Sequence, residues 1–269
     1  MSLQEVIIQL RKGNGGTTKA TAIVSKIEPS FKEELIMSIG NRVFLKKPEA
    51  PQELLDAFST IPAANIADTM GRLVGMHPRI RLQSAPQKPI TVGRALTIKN
   101  CAGDNLMIHQ ALNMAKPGDV LVVSNDGGES YRSLMGEIMF TYLMGTGAAG
   151  IVFDGPIRDI DAVREMKMPI YATGTNPAGP YKEGPGEINV PISCGGISVN
   201  PGDLIVMDAD GVIVIPLKDA ETVLKNARAF QEKDEAKLKL TQEGRSNRDW
   251  VKKLVEQKQI EMIDAMYNE

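Results

Sequence analysis

The sequence predicts an α/β fold, and three observations carry that prediction. Two short apolar runs, Asp119–Ser124 (DVLVVS) and Gly150–Gly155 (GIVFDG), read as buried strands. Between them, apolar residues recur at Leu134, Ile138, Met139, Tyr142 and Leu143, which is helical spacing. After the second run, DIDAVREMK opens another helix with acidic residues in its first turn. Strand, helix, strand, helix in that order brings two strand ends and two helix starts to one sheet edge. Proteins of this class place their ligands there.

The chain has 269 residues, enough for one large domain or two small ones, and its 42% hydrophobic content supports a proper core. A net charge of -2 carries no nucleic-acid footprint. No apolar run approaches a membrane span, and the first residues lack the apolar core of a signal peptide. Cys101 and Cys194 are far apart and solitary, so neither a zinc site nor a disulfide framework is expected. The expectation is a cytoplasmic protein that engages neither membrane nor nucleic acid.

In chain order, residues 1–50 read as an N-terminal extension or arm with two short helices, EVIIQLRKG and SFKEELIMSIG. Pro51 suits the first turn of the helix PQELLDAF, and Thr60 and Pro62 prepare AANIADTMGRL, on which Asp68 is a candidate site residue, with a solvated helix face the more common role for such a residue. PITVGRALTIKN alternates as a strand, with Gly93 marking a bulge. Gly103-Asp104-Asn105 starts the helix LMIHQALNMA, in which His109 lies partly buried; His77, beside Pro78, is a loop residue. Lys116-Pro117-Gly118-Asp119 and Asn200-Pro201-Gly202-Asp203 echo each other, each a turn leading into an apolar strand. Thr173–Glu187 is a Gly- and Pro-rich loop at a rim or interface, INVPISCGGISV supplies one or two strands, and GVIVIP closes the sheet region. From Leu217 to the end the chain is charged, amphipathic and helical, with Trp250 as a packing anchor. The organisation expected is an extension (1–50), an α/β domain (51–216) and a helical tail (217–269).

The chemistry gathers at Gly136-Glu137, early in the first helix of the α/β unit, and at Arg158-Asp159, at the end of the second strand-to-helix connection. An arginine beside a carboxylate, facing exposed backbone N–H groups, suits a metal plus an anionic substrate. Taken alone, an Arg-Asp pair in a loop more often caps a helix or forms a surface ion pair.

Glu137, twenty intervening residues, then Arg158-Asp159 resembles the acid-x20-Arg-Asp signature of the RraA-like aldolase family. The likeness extends through GDNLMIHQALNMAKPGDVLVVSNDGG, GEI, GAAGIVFDGPIRDIDAV, PIYATG and PGDLIVMDADGVIVIP, about Pro51 to Pro216. The resemblance implies a layered α/β sandwich similar to swivelling phosphohistidine domains, assembled as trimers or hexamers. It implies Mg²⁺ or Mn²⁺ as cofactor and a 2-oxo acid as substrate. Enzymes of this kind cleave 4-hydroxy-4-methyl-2-oxoglutarate or 4-carboxy-4-hydroxy-2-oxoadipate to pyruvate and a second oxo acid, and many decarboxylate oxaloacetate. By the same resemblance Asp159 is the metal ligand and Arg158 binds substrate. Glu137 stands where relatives often have Asp, contacting metal-bound water, and the N–H groups from Gly136 through Glu137, Ile138 and Met139 hold the pyruvyl carboxylate. Glu232 or Glu235 matches an acid supplied by a neighbouring subunit. The competing expectation is a non-catalytic ring that binds a ribonuclease of the E type, for which the Glu137, Arg158 and Asp159 constellation is not needed.

Overall fold

A computed structural model describes residues 39–126 and 131–267. The two short helices expected before residue 39 and the Gly127-Gly128 part of the turn after DVLVVS lie outside those residues. Among the described residues no helix is long and apolar enough to cross a membrane.

Four parallel strands make the centre of a nine-stranded sheet: β3 (Thr91–Asn100), β4 (Asp119–Asn125), β5 (Gly150–Phe153) and β7 (Ile170–Ala172). Beyond β7 lies β2 (Arg81–Leu82), antiparallel. The far edge of β3 is shared. Its first half pairs with β12 (Leu204–Asp208), which continues to β13 (Gly211–Ile215), and its last residues pair with β9 (Gly186–Ile188), followed by β1 (Asn41–Val43). Both sheet faces are covered, which is why β4 is buried along its length instead of alternating in and out.

Side chains of the central strands divide by the two-residue period of a strand. Leu121, Val123, Ile151, Phe153 and Ile170 pack beneath helices α3 (Leu106–Met114), α4 (Glu137–Gly145) and α5 (Ile160–Val163). Their neighbours Val120, Val122, Val152 and Tyr171 face the hairpin of β10 (Ile192–Cys194) and β11 (Ile197–Val199). That hairpin turns on Gly195 and Gly196, both at positive φ, as a two-residue turn between twisted strands requires. A third apolar cluster joins α1 (Gln52–Phe58), α2 (Ala63–Thr69) and the first half of α6 (Ala220–Gln242) to β12 and β13.

Several expectations are corrected. Gly93 is not a bulge, because β3 and β12 stay in continuous register through it. A Cβ there would stand 2.7 Å from the Gly118 carbonyl, so glycine permits a close backbone approach. Helix α4 begins at Glu137 rather than near Leu134. Leu134 and Met135 are buried before it starts, whereas Ile138 and Tyr142, assigned to its apolar stripe, are 87% and 54% exposed. Trp250, on α7 (Asp249–Gln257), is 60% exposed and joins none of the three apolar clusters among the described residues. The echoed turns are built alike. Asp119 Oδ2 accepts the Lys116 N–H at 3.0 Å, Asp203 Oδ2 accepts the Asn200 N–H at 2.8 Å, and Gly118 and Gly202 share a left-handed φ.

Candidate active site

Strands β4 and β5 run parallel in register, so the residues that follow both emerge at the same edge. The segment entering α4 then zips alongside the segment leaving β5. The Leu134 N–H donates to the Pro156 carbonyl at 2.9 Å and the Arg158 N–H donates to the Met135 carbonyl at 3.0 Å. This pairing, made before α4 begins, sets Gly136 against Asp159.

Gly136 is the N-cap of α4 in extended conformation. A Cβ on it would lie 2.3 Å from Asp159 Oδ2 and 3.0 Å from Arg158 Nε, so only a bare α-carbon allows the carboxylate this close. Asp159 precedes α5 with φ 59° and ψ 41°, a left-handed conformation that Asp tolerates better than most residues. Its side chain does not cap its own helix. Oδ2 instead accepts the Glu137 N–H at 2.9 Å, capping α4, and lies 3.8 Å from Arg158 Nε. The helix-capping role that an Arg-Asp pair in a loop often plays is therefore present in this structure. It engages one of the two carboxylate oxygens.

The structure thus brings Gly136, Glu137, Arg158 and Asp159 together. Of the four amides expected to hold a carboxylate, two are engaged: Glu137 by Asp159, and Met139 by the Gly136 carbonyl at 3.1 Å. Among the described residues no acceptor faces the Ile138 N–H. Arg158 and Asp159 are 44% and 43% exposed, so the group lies on an open surface. The roughly 440 Å³ cavity lined by Thr91, Gly118, Ala149 and Pro169 sits at the opposite ends of the strands and takes in none of these residues. Glu232 and Glu235 lie on α6, the helix of the third cluster, and do not join the site within one chain.

Sequence reasoning missed the residues that brace this group. Asn105, buried, donates through Nδ2 to the Leu134 carbonyl at 2.9 Å, and Asn125 Oδ1 accepts the Gly103 N–H at 3.0 Å. Asp104 ties the start of α3 to the 176–185 rim, accepting the Leu106 N–H with one oxygen and the N–H groups of Glu183 and Gly184 with the other. In the sequence these three look like ordinary turn and cap residues. Only their position after two adjacent strands hinted at more. His109 stays away from the chemistry, and burial followed by the charge of Lys182 pushes its imidazole pKa down.

A family model described as RraA-like, Aldolase/RraA, matches residues 63–214. A protein of Halalkalibacterium halodurans, provisionally named a 4-hydroxy-4-methyl-2-oxoglutarate aldolase, is 41% identical over 70% of this chain and 89% of its own length. A solved structure of an uncharacterised protein from Pseudomonas syringae shares 27% identity, covering 74% of this chain and 92% of that one, with a TM-score of 0.65. Streptomyces coelicolor RraAS2, described as an unusual member of the RNase ES inhibitor RraA family, shares 28% identity over 70% of this chain and 97% of that one, with a TM-score of 0.62.

Proposed function

The chain belongs to the RraA-like family, and from that premise we propose that it is a divalent-metal-dependent aldolase. Its substrate in this reading is a 4-hydroxy-2-oxo acid like 4-hydroxy-4-methyl-2-oxoglutarate, cleaved to pyruvate and a second oxo acid. Oxaloacetate decarboxylation is the companion activity, since it passes through the same pyruvate enolate. The observation that carries the reading is Asp159, a half-exposed carboxylate using one oxygen to accept the Glu137 N–H and cap α4 while standing 3.8 Å from Arg158 Nε.

The donor set suits Mg²⁺ or Mn²⁺ and no softer ion. Among the described residues no group of three or more His, Cys, Asp or Glu side chains could form a protein cage. Mg²⁺ keeps most of its waters and needs only one or two carboxylates, which Asp159, with Glu137 nearby, can supply. When bound, the cation supplies Lewis-acid polarisation of the 2-oxo group.

The chain's own residues do the rest. Arg158 and the Ile138 N–H orient the pyruvyl carboxylate at the positive end of α4. Glu137 receives the proton of the 4-hydroxyl through one water. As that proton leaves, the C3–C4 bond breaks, the new carbonyl departs with C4, and the bonding pair remains as pyruvate enolate, whose charge Arg158 offsets. Return of a proton to C3 gives pyruvate.

The open surface around these groups also carries exposed Ile138, Tyr142 and Tyr131, which suits coverage by a second copy in a trimer or hexamer. In such an assembly Glu232 or Glu235 would arrive from the neighbour. A non-catalytic ribonuclease-binding ring is the other reading, and it needs no apposition of Glu137, Arg158 and Asp159. Pyruvate release across a panel of 4-hydroxy-2-oxo acids and oxaloacetate decides between them. We expect turnover that chelation abolishes and added Mg²⁺ or Mn²⁺ restores. Absence of pyruvate from every substrate in the presence of metal would leave the binding ring as the better account.

A further inference from the structure

We infer that Gly179 is a positioning residue for the proposed reaction: its bare α-carbon meets the end of the Arg158 side chain and sets where that guanidinium stands. The inference rests on the lyase reading above and deepens it at the arginine that binds the pyruvyl carboxylate. A Cβ on Gly179 would lie 3.2 Å from Arg158 Nη1. Its chain neighbours aside, no other atom of the described residues comes within 4 Å of that point. Nearer its root the same side chain passes Gly136, where a Cβ would lie 3.0 Å from Arg158 Nε and 3.1 Å from its Cγ. Two stretches of bare backbone therefore border one arginine. Among the described residues no hydrogen bond holds the guanidinium, and its ion pair with Asp159 is at 3.8 Å. Contact with glycine backbone sets the place of the fork and leaves its N–H groups for a ligand.

The rim that carries Gly179 is tied down on both sides of it. Gly174-Thr175 pairs in parallel with Pro156-Ile157, and the Asn176 N–H donates to the Ile157 carbonyl at 3.0 Å. This leads the segment alongside the stretch that ends at Arg158. The Ala178 carbonyl accepts the Ser133 N–H at 2.8 Å and the Ser133 hydroxyl at 2.9 Å. The Gly179 carbonyl itself accepts Arg132 Nη1 at 2.8 Å. Beyond it, the Tyr181 N–H donates to the Gly103 carbonyl at 2.8 Å and the Tyr181 carbonyl accepts the Asn105 N–H at 3.0 Å. With the backbone held, a side chain at 179 displaces the arginine and not the rim. Gly179 is not at positive φ, so alanine adds bulk there without backbone strain. A guanidinium gives a carboxylate two parallel bonds only when its planar fork lies square to it. Moving Nη1 by a few tenths of an ångström weakens one bond of that pair.

The test is a graded pair, Gly179→Ala and Gly179→Val, each made in the parent and in the Arg158→Lys background, where the lysine side chain ends short of the Nη1 position. The readouts are kcat/KM for pyruvate release from 4-hydroxy-4-methyl-2-oxoglutarate and oxaloacetate, the melting temperature, and Mg²⁺ affinity by calorimetric titration. In the parent, Gly179→Ala should lower kcat/KM by about 5-fold and Gly179→Val by roughly 30-fold or more, with Mg²⁺ affinity and melting temperature close to those of the parent. In the Arg158→Lys background the same substitutions should cost less than about 2-fold, because the atom they displace is gone. If Gly179→Val melts early, Gly179→Ala in the two backgrounds carries the test. Equal losses in both backgrounds, no loss in the folded variants, or a Gly179→Ala protein that melts well below the parent would each overturn the inference while leaving the lyase reading in place. A parent that releases pyruvate from neither substrate in the presence of Mg²⁺ removes the lyase reading itself, and this inference with it.

Discussion

Two arginine–aspartate pairs form at the end of β5, five residues apart in their acids, and they are built for opposite ends. Asp154 is nearly buried and both of its oxygens are engaged. Arg79 reaches it with Nε and Nη2 at 2.7–3.0 Å, and the Gly195 N–H donates to Oδ2 at 2.9 Å. Asp159 is half exposed, its arginine stands off at 3.8 Å, and among the described residues only Oδ2 has a donor within hydrogen-bond reach. A saturated carboxylate locks the strand end to the β10–β11 hairpin. A carboxylate with one oxygen in hand can hold its helix and still bind something else. Residue type alone does not separate a structural ion pair from a candidate reactive one; the count of satisfied oxygens does.

Substitution at the open pair should cost activity and spare the fold. Asp159→Asn retains a side chain that tolerates the left-handed backbone and loses the charge. We expect turnover to fall by about 1000-fold or more, with metal affinity lost in calorimetric titration and the melting temperature nearly unchanged. A folded Asp159→Asn protein with parental metal affinity would collapse the distinction between the pairs. The next largest effect belongs to Arg158→Lys, which keeps the charge but loses the planar fork. A drop of about 2–4 kcal/mol in transition-state binding, roughly 30- to 1000-fold in kcat/KM, should appear while metal affinity stays close to that of the parent.

At the closed pair the loss moves to stability. Asp154→Asn leaves Arg79 without its ionic partner, and about 2–3 kcal/mol of folding stability should be lost, read as an earlier midpoint in urea. The smallest effect concerns the two thiols. Burial pushes the Cys101 pKa up, with Asp104 and Asp126 adding to it; burial does the same at Cys194, with Asp154 adding and Arg79 opposing. Less thiolate at a given pH means slower alkylation. Near pH 8 both should react more slowly with iodoacetamide than a free thiol, Cys194 behind the closed pair hardly at all until unfolding. Mass spectrometry of the native protein checks the order, and faster labelling of Cys194 than Cys101 would contradict it.

What the sequence revealed was whatever is decided locally. DVLVVS and GIVFDG are strands because both faces of the sheet are covered, and their apolar runs say so. The two Pro-Gly-Asp turns are legible because aspartate, glycine and the returning amide lie within four residues. The twenty-residue interval from Glu137 to Arg158 is legible because one helix, the strand β5 and a two-residue strand at Pro156–Ile157 fill it, returning the chain to the same edge. Gly93 was misread because the neighbour that demands glycine is the carbonyl of Gly118, far along the chain. The start of α4 was misplaced because Leu134 and Met135 are buried by pairing with the 156–158 segment, an interaction that imitates helical spacing. Asn105 and Arg132 gave no local signal, since their partners at Leu134, Gly179 and Tyr181 meet them only after folding.

The left-handed backbone at Asp159 also limits how this site can decay. At φ 59° most side chains are strained, and the residues that sit there with least protest are glycine, asparagine and aspartate. A lineage relieved of selection for the carboxylate has two low-cost exits, Asn and Gly, and both leave the turn intact. Relatives with either residue at this position, and still with glycine opposite it, should keep the shape of the site without its charge. Sorting homologues by that one letter would separate chains that retain the shape as a surface from those able to use it as a reagent.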